Sequence, residues 1–132
     1  MATIFKQFTV DAKADAVWSA FKDVGAVHTR LAHGFVTDCV LNDDVRTVTF
    51  ANGLVAKERI ITVDDTARRV AYSVIEGRPT HHSASFQVID EGARCRVVWI
   101  ADLLPNELEQ QIGQMMEMGC EAMRKTLGAG VK

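Results

Sequence analysis

Glu58, Tyr72, His82 and Trp99, with His28 upstream, are the residues of this chain whose types suit acid–base or hydrogen-bonding chemistry. Glu58 lies in NGLVAKERIITVDD, residues 52–65, a stretch rich in β-branched residues that ends in an Asp-Asp turn signal and so reads as a strand. Alternation sets Val55, Lys57, Arg59, Ile61 and Val63 on one face, against Leu54, Ala56, Glu58, Ile60 and Thr62 on the other. With Lys57 and Arg59 in water, Glu58 points inward. A buried carboxylate is costly unless it is paired, hydrated or functional. Two roles therefore stand side by side: a cavity carboxylate that binds a ligand or acts as general acid or base, and a structural carboxylate tied to a buried Arg, a Tyr hydroxyl or backbone donors.

The same parity argument places the neighbouring candidates. Tyr72 shares a face with Val70 and Val74 and lies opposite Arg69, so it is expected inside, where its hydroxyl needs a partner such as Glu58 or a cavity water. Trp99 is in line with Cys95, Val97, Ala101 and Leu103, while Arg94, Arg96 and Asp102 mark the outer face. His82 belongs to the more apolar face of HHSASFQV, with Ala84, Phe86 and Val88. His28 falls in AVHTRLAHGF, a short helix or irregular turn expected to close over a cavity mouth, where an imidazole could bind or protonate a ligand. The four histidines show no ligand spacing, since His28 and His33 are five apart and His81 and His82 face opposite ways, so no metal site is expected. No cofactor fingerprint or phosphate-binding glycine loop is present either.

These side chains need elements to hold them. IFKQFTV alternates as a strand, and Asp11 stands where the N-cap of a helix over AKADAVWSAFKDV belongs, with Ala14, Val17, Trp18 and Phe21 as its apolar stripe. From Phe35 to Leu104 five turn signals divide the chain into six strands, roughly 35–41, 45–51, 54–63, 68–76, 81–89 and 94–104. Short connections make them antiparallel neighbours, and Asn52-Gly53 is the sharpest hairpin signal. Pro105 ends the last strand and suits the first turn of a long helix, whose stripe runs through Leu108, Ile112, Met115, Met116, Gly119, Met123 and Leu127. Met118 is expected to face away, and the tail GAGVK is expected to fray. The methionines suit either an adaptable ligand wall or a loosely packed core, and Gly119 leaves a notch beside them.

With 132 residues, 48% of them hydrophobic, and a formal charge of -2, the chain is expected to be one domain with a sizeable core. Acidic and basic residues are interspersed, and no basic stripe is available for nucleic acid. The three cysteines are scattered without CxxC spacing, which suits a reducing compartment, and neither a leader nor a membrane-spanning run is legible, so a cytoplasmic location is expected.

The order strand, two short helices, six strands and long helix resembles the START-like, birch-pollen-allergen-like helix-grip superfamily, and within it the polyketide cyclase/dehydrase and lipid-transport group. The resemblance is carried by VDAKADAVWSAFKDVGAVH, GLVAKERIITVDDTARRVAYSVIEG and CRVVWIADLLP in that order, and Glu58, Tyr72 and Trp99 match residues that recur in those segments. It departs at HTRLAHG, where relatives often have an aromatic residue and a proline. The expected fold is α+β: a curved antiparallel sheet of about seven strands around a long C-terminal helix, with a ligand cavity between them. Phe21, His28, Glu58, Tyr72, His82, Trp99, Met115, Met116 and Met123 are its expected lining. The expected function is non-catalytic binding of a small hydrophobic or amphipathic molecule, with no cofactor. The alternatives are a cyclase/dehydratase-like enzyme using Glu58 or His28 as acid/base, with Tyr72 donating to an oxyanion, and an interaction protein that pairs through its sheet edge; a homodimer fits any of the three.

Overall fold

Seven strands form one sheet in the computed structural model, which describes residues 2–130. They are β1 (Ala2–Val10), β2 (Val36–Asn42), β3 (Val45–Phe50), β4 (Val55–Asp64), β5 (Arg69–Glu76), β6 (His81–Glu91) and β7 (Arg94–Leu104). All pairings are antiparallel, and the sheet runs β1-β7-β6-β5-β4-β3-β2: a meander from β2 to β7, with the first strand returning to the far edge. The six strands expected between Phe35 and Leu104 are all present, and Gly53 takes the positive φ (89°) that its hairpin turn requires. Register shifts in the β4–β5 pair, between Lys57 and Glu58 and again between Ile60 and Thr62, are bulges that bend the sheet into a concave surface.

Between β1 and β2 lie α1 (Ala14–Lys22) and a π turn (Val27–Leu31). The expectation that Asp11 caps α1 is corrected: Lys13 is the N-cap residue and no side chain caps the helix. Residues 11 and 12 form a bend that carries the chain off the sheet, which leaves Asp11 on the surface 4.0 Å from Arg94. Pro105 likewise precedes a 3-10 turn (Asn106–Leu108), and the long helix α2 (Glu109–Gly130) starts only after it. Residues 128–130 of the tail expected to fray continue α2; residues 131 and 132 lie outside the described residues.

The core sits where α1 and α2 press on the sheet. Val17, Trp18 and Phe21 are buried, and Phe21 packs on Phe86 of β6 with ring centroids 5.0 Å apart. Burying each such side chain contributes about 1.5–3 kcal/mol. On α2, Met116, Met123 and Leu127 are buried and Met118 is exposed, as its stripe requires. α2 packs mainly on β1 and the π turn, at one side of the sheet. A straight helix of about 33 Å cannot follow a bent sheet along its whole length. It therefore stands off β3, β4 and β5.

Trp18 also fastens α1 to the β4–β5 turn, donating its indole N–H to Asp65 Oδ1 at 2.9 Å. That bond, with a second from Lys22, holds the Asp65 carboxyl below its usual range. Replacing Trp18 with Phe is expected to raise the titration midpoint of Asp65, followed by carboxyl-carbon NMR. An unchanged midpoint would show that the indole N–H does not reach Asp65 in solution.

Candidate functional site

The site begins with a cross-strand pair. The Asn52-Gly53 hairpin aligns β3 and β4 so that Arg46 stands directly opposite Glu58, both on the concave face. Arg46 Nε donates to Glu58 Oε1 at 2.7 Å, and the side chains are only 5% and 10% exposed. Neither charge could be held there alone. Arg46 Nη1 also donates to the Val24 carbonyl at 3.3 Å, and the guanidinium carbon lies 5.1 Å from the centroid of the Tyr72 ring. Among the described residues, Glu58 Oε2 has no hydrogen-bond partner.

Tyr72 is buried beside this pair, 4% exposed. Its hydroxyl accepts the Trp99 indole N–H at 3.1 Å, so its partner is Trp99 rather than the expected Glu58 or water. Indole nitrogen only donates. The phenolic hydrogen is therefore left without an acceptor among the described residues. Burial, and then the Glu58 charge, push the Tyr72 phenol well above its ordinary range, so it remains a donor throughout the physiological range.

Trp99 stacks on Phe86 at 4.6 Å, and its edge fits over Gly119 of α2. A Cβ on Gly119 would come within 3.1 Å of the Trp99 ring and 3.3 Å of Phe35. The notch expected at Gly119 is thus filled by two aromatic edges.

Around these groups lies a cavity of about 230 Å³ between the sheet and the first half of α2. Glu58, Tyr72, His82, Trp99, Met115 and Met116 line it, together with Phe35, Phe50 and Val74. Exposed lining residues mark its mouth: Leu54 and Val55 after the β3–β4 turn, Gly77 and Arg78 after β5, and Gln111 on α2. Arg78 Nη1 donates to Gln111 Oε1 at 2.7 Å across that mouth. A second void of about 70 Å³ lies deeper, lined by Arg46, Val27, Leu31 and Met123. Phe35, Phe50, Glu58, Tyr72 and Trp99 border both spaces and form the partition between them.

Three expected lining residues are placed elsewhere. Phe21 is 1% exposed and packed into the core against Phe86, because α1 lies over β6 rather than over β3–β5. Met123 reaches only the inner void, two turns beyond the outer cavity on α2. His28 lines neither space: the π turn sits at the far half of α2, where His33 N–H donates to Thr126 Oγ1 at 3.1 Å, away from the mouth. The reading of His28 as a group at the cavity mouth is corrected accordingly. Arg46, Phe35 and Phe50 were not singled out from the sequence, although Arg46 alternates in phase with Val48 and Phe50 on β3.

The cysteines Cys39, Cys95 and Cys120 are buried and free. Burial, reinforced by nearby acids, pushes the Cys95 and Cys120 thiols up to about 11, which removes them as nucleophiles. Among the described residues no three His, Cys, Asp or Glu side chains converge as metal ligands. None of their helices is long and apolar enough to cross a membrane.

A family model described as polyketide cyclase / dehydrase and lipid transport matches residues 1–132. None of the curated proteins matches the chain. Among solved structures, a protein from Thermobifida fusca is 28% identical, with a TM-score of 0.79 over 98% of this chain and 95% of that one. Major latex-like protein 151 of Panax ginseng is 16% identical at TM-score 0.81, covering 98% and 97% of the two chains. Norcoclaurine synthase of Thalictrum flavum, solved as a point mutant with a transition-state analogue, is 21% identical at TM-score 0.74, covering 99% and 96%. At such identities the last two show a shared fold.

Breaking the buried pair from one side is expected to be far worse than removing it. Arg46→Met should cost about 3–5 kcal/mol in urea unfolding, whereas Arg46→Met combined with Glu58→Leu should recover much of that loss. Equal losses in the single and double variants would mean that Glu58 carries no uncompensated charge. His82 provides a pH test. Burial, with His81 adding to it, lowers its pKa from 6.5, so the unfolded chain takes up a proton first as pH falls. Stability should therefore decline as pH drops below about 6.5. The decline should be shallower in His82→Gln; identical pH profiles would remove His82 as the cause.

Proposed function

The chain belongs to the polyketide cyclase/dehydrase and lipid transport family of the START-like superfamily, and we propose that it binds a small hydrophobic or amphipathic molecule in the cavity between β3–β5 and α2. The observation that carries this reading is a mostly apolar space of about 230 Å³ with one polar end, where Glu58 Oε2 and the Tyr72 hydroxyl hydrogen have no partner among the described residues. Such a wall, with a few convergent polar groups, is the usual composition of a ligand site. Met115 and Met116 on the helix side supply flexible, polarizable contacts that adapt to an irregular ligand. Glu58 and Tyr72 orient the ligand's polar end, accepting and donating respectively.

The second reading is an enzyme that acts on an enolisable carbonyl compound. The feature in its favour is the juxtaposition of a carboxylate oxygen and a permanently protonated phenol on one cavity wall: a base and an oxyanion donor. Against it stands the Arg46 bond, which already occupies Oε1 of the carboxylate.

Native mass spectrometry of the purified protein is expected to show a small adduct that is lost on denaturation. Ala56 lines the cavity on β4, and Ala56→Phe, which fills that space, should abolish the adduct while leaving the protein folded. An adduct that survives Ala56→Phe would place the ligand elsewhere. Turnover of an enolisable ketone that disappears in folded Glu58→Gln would favour the enzyme instead, and equal rates would reject Glu58 as its base.

A further inference from the structure

We propose that the cavity selects a neutral, compact ring system of one or two fused rings bearing a hydrogen-bond-accepting oxygen, and that it rejects carboxylates. The proposal rests on the binding reading above and adds the ligand's charge, size and shape. Charge is set by the pair at the polar end. Glu58 is already neutralised by Arg46, and Arg46 spends its remaining reach on the Val24 carbonyl, so no spare cation faces the cavity at that end. An entering carboxylate would lose its hydration and meet the Glu58 carboxylate at close range. Burial, with His81 adding to it, lowers the pKa of His82, which also lines the cavity, and so disfavours a cation there. Arg78, Glu76 and Gln111 belong to the exposed mouth, where water screens them.

Beside the Glu58 Oε2 acceptor, the polar end offers one donor. Tyr72 Oη accepts from Trp99 and keeps its own hydrogen to give, which suits a ketone, quinone or lactone oxygen. Size follows from volume: a cavity of roughly 150 Å³ accommodates benzene, so about 230 Å³ suits a naphthalene-sized body. Shape follows from the wall. Phe86 stacks at 25° on both Trp99 and Tyr72, and Trp99 borders the cavity as an aromatic wall for a planar ring.

The test is calorimetric titration with acetylnaphthalene, naphthalene and naphthoate near neutral pH. The ketone should bind about tenfold more tightly than naphthalene, from one buried hydrogen bond, and naphthoate at least about tenfold more weakly than the ketone. Naphthoate affinity should rise as pH falls towards its own carboxyl pKa. Within Tyr72→Phe, the ketone should bind no more tightly than naphthalene. In the wild-type complex the ketone's carbonyl stretch should move to lower frequency. Should Tyr72→Phe fail to fold, that stretch decides, and an unshifted band overturns the Tyr72 contact. Naphthoate binding as tightly as the ketone would overturn charge selection while leaving the cavity reading intact. Failure of all three to bind would remove the cavity reading and this proposal with it.

Discussion

The Arg46–Glu58 ion pair is the constraint around which the concave face is organised. These are the only charged side chains buried among the described residues, and each is tolerable there because of the other. Their partnership requires β3 and β4 to hold one register, since a slip of a single residue would turn one of the two outward and strand its partner. Through the Val24 carbonyl, Arg46 also ties the sheet to the segment that leaves α1. Through its guanidinium face it braces the ring of Tyr72, whose hydroxyl in turn receives the Trp99 indole. Four strands and the chain after the first helix are thus joined by one connected set of contacts.

From this follows the position of the empty space. Trp99 and Phe35 press against α2 at Gly119, where a Cβ would crowd both rings. On one side of that point lie the core, Met123 and Leu127; on the other the bulged strands curve away and α2 runs out towards Leu108. The cavity is the wedge between a straight element and a bent one. Met115 and Met116 face it because the helical stripe continues past the last close contact.

Most of the fold was legible because the chain obeys simple periods. Each of the six strands after Phe35 is bounded by a turn signal, and the alternation in KERIITV sufficed to orient Glu58. Helix starts were less legible: Asp11 has the right type for a cap, but the bend that follows β1 uses up the residues through which it would act. The site was legible one strand at a time. Parity assigned Tyr72, His82 and Trp99 to the inner face, yet it could not say which residue on another strand met them. Arg46 was overlooked for that reason, since a basic residue in VRTVTF reads as solvent-facing until its partner is known. His28 and Phe21 were placed at the cavity from their position in the chain, and the direction in which a turn or short helix docks depends on tertiary packing that no local period encodes.

The contacts that stabilise the concave face also form one end of the cavity, which divides it into two regions of different tolerance. At the polar end, Glu58, Tyr72 and Trp99 line the cavity and also make the contacts that hold the concave face together. Variation there costs stability. At the mouth, Leu54, Val55, Arg78 and Gln111 are exposed, and Met115 is only partly buried, so these positions can change with little effect on folding. If the cavity binds as proposed, the buried pair fixes how a polar atom is held, while the exposed rim can be changed without disturbing the costly pair.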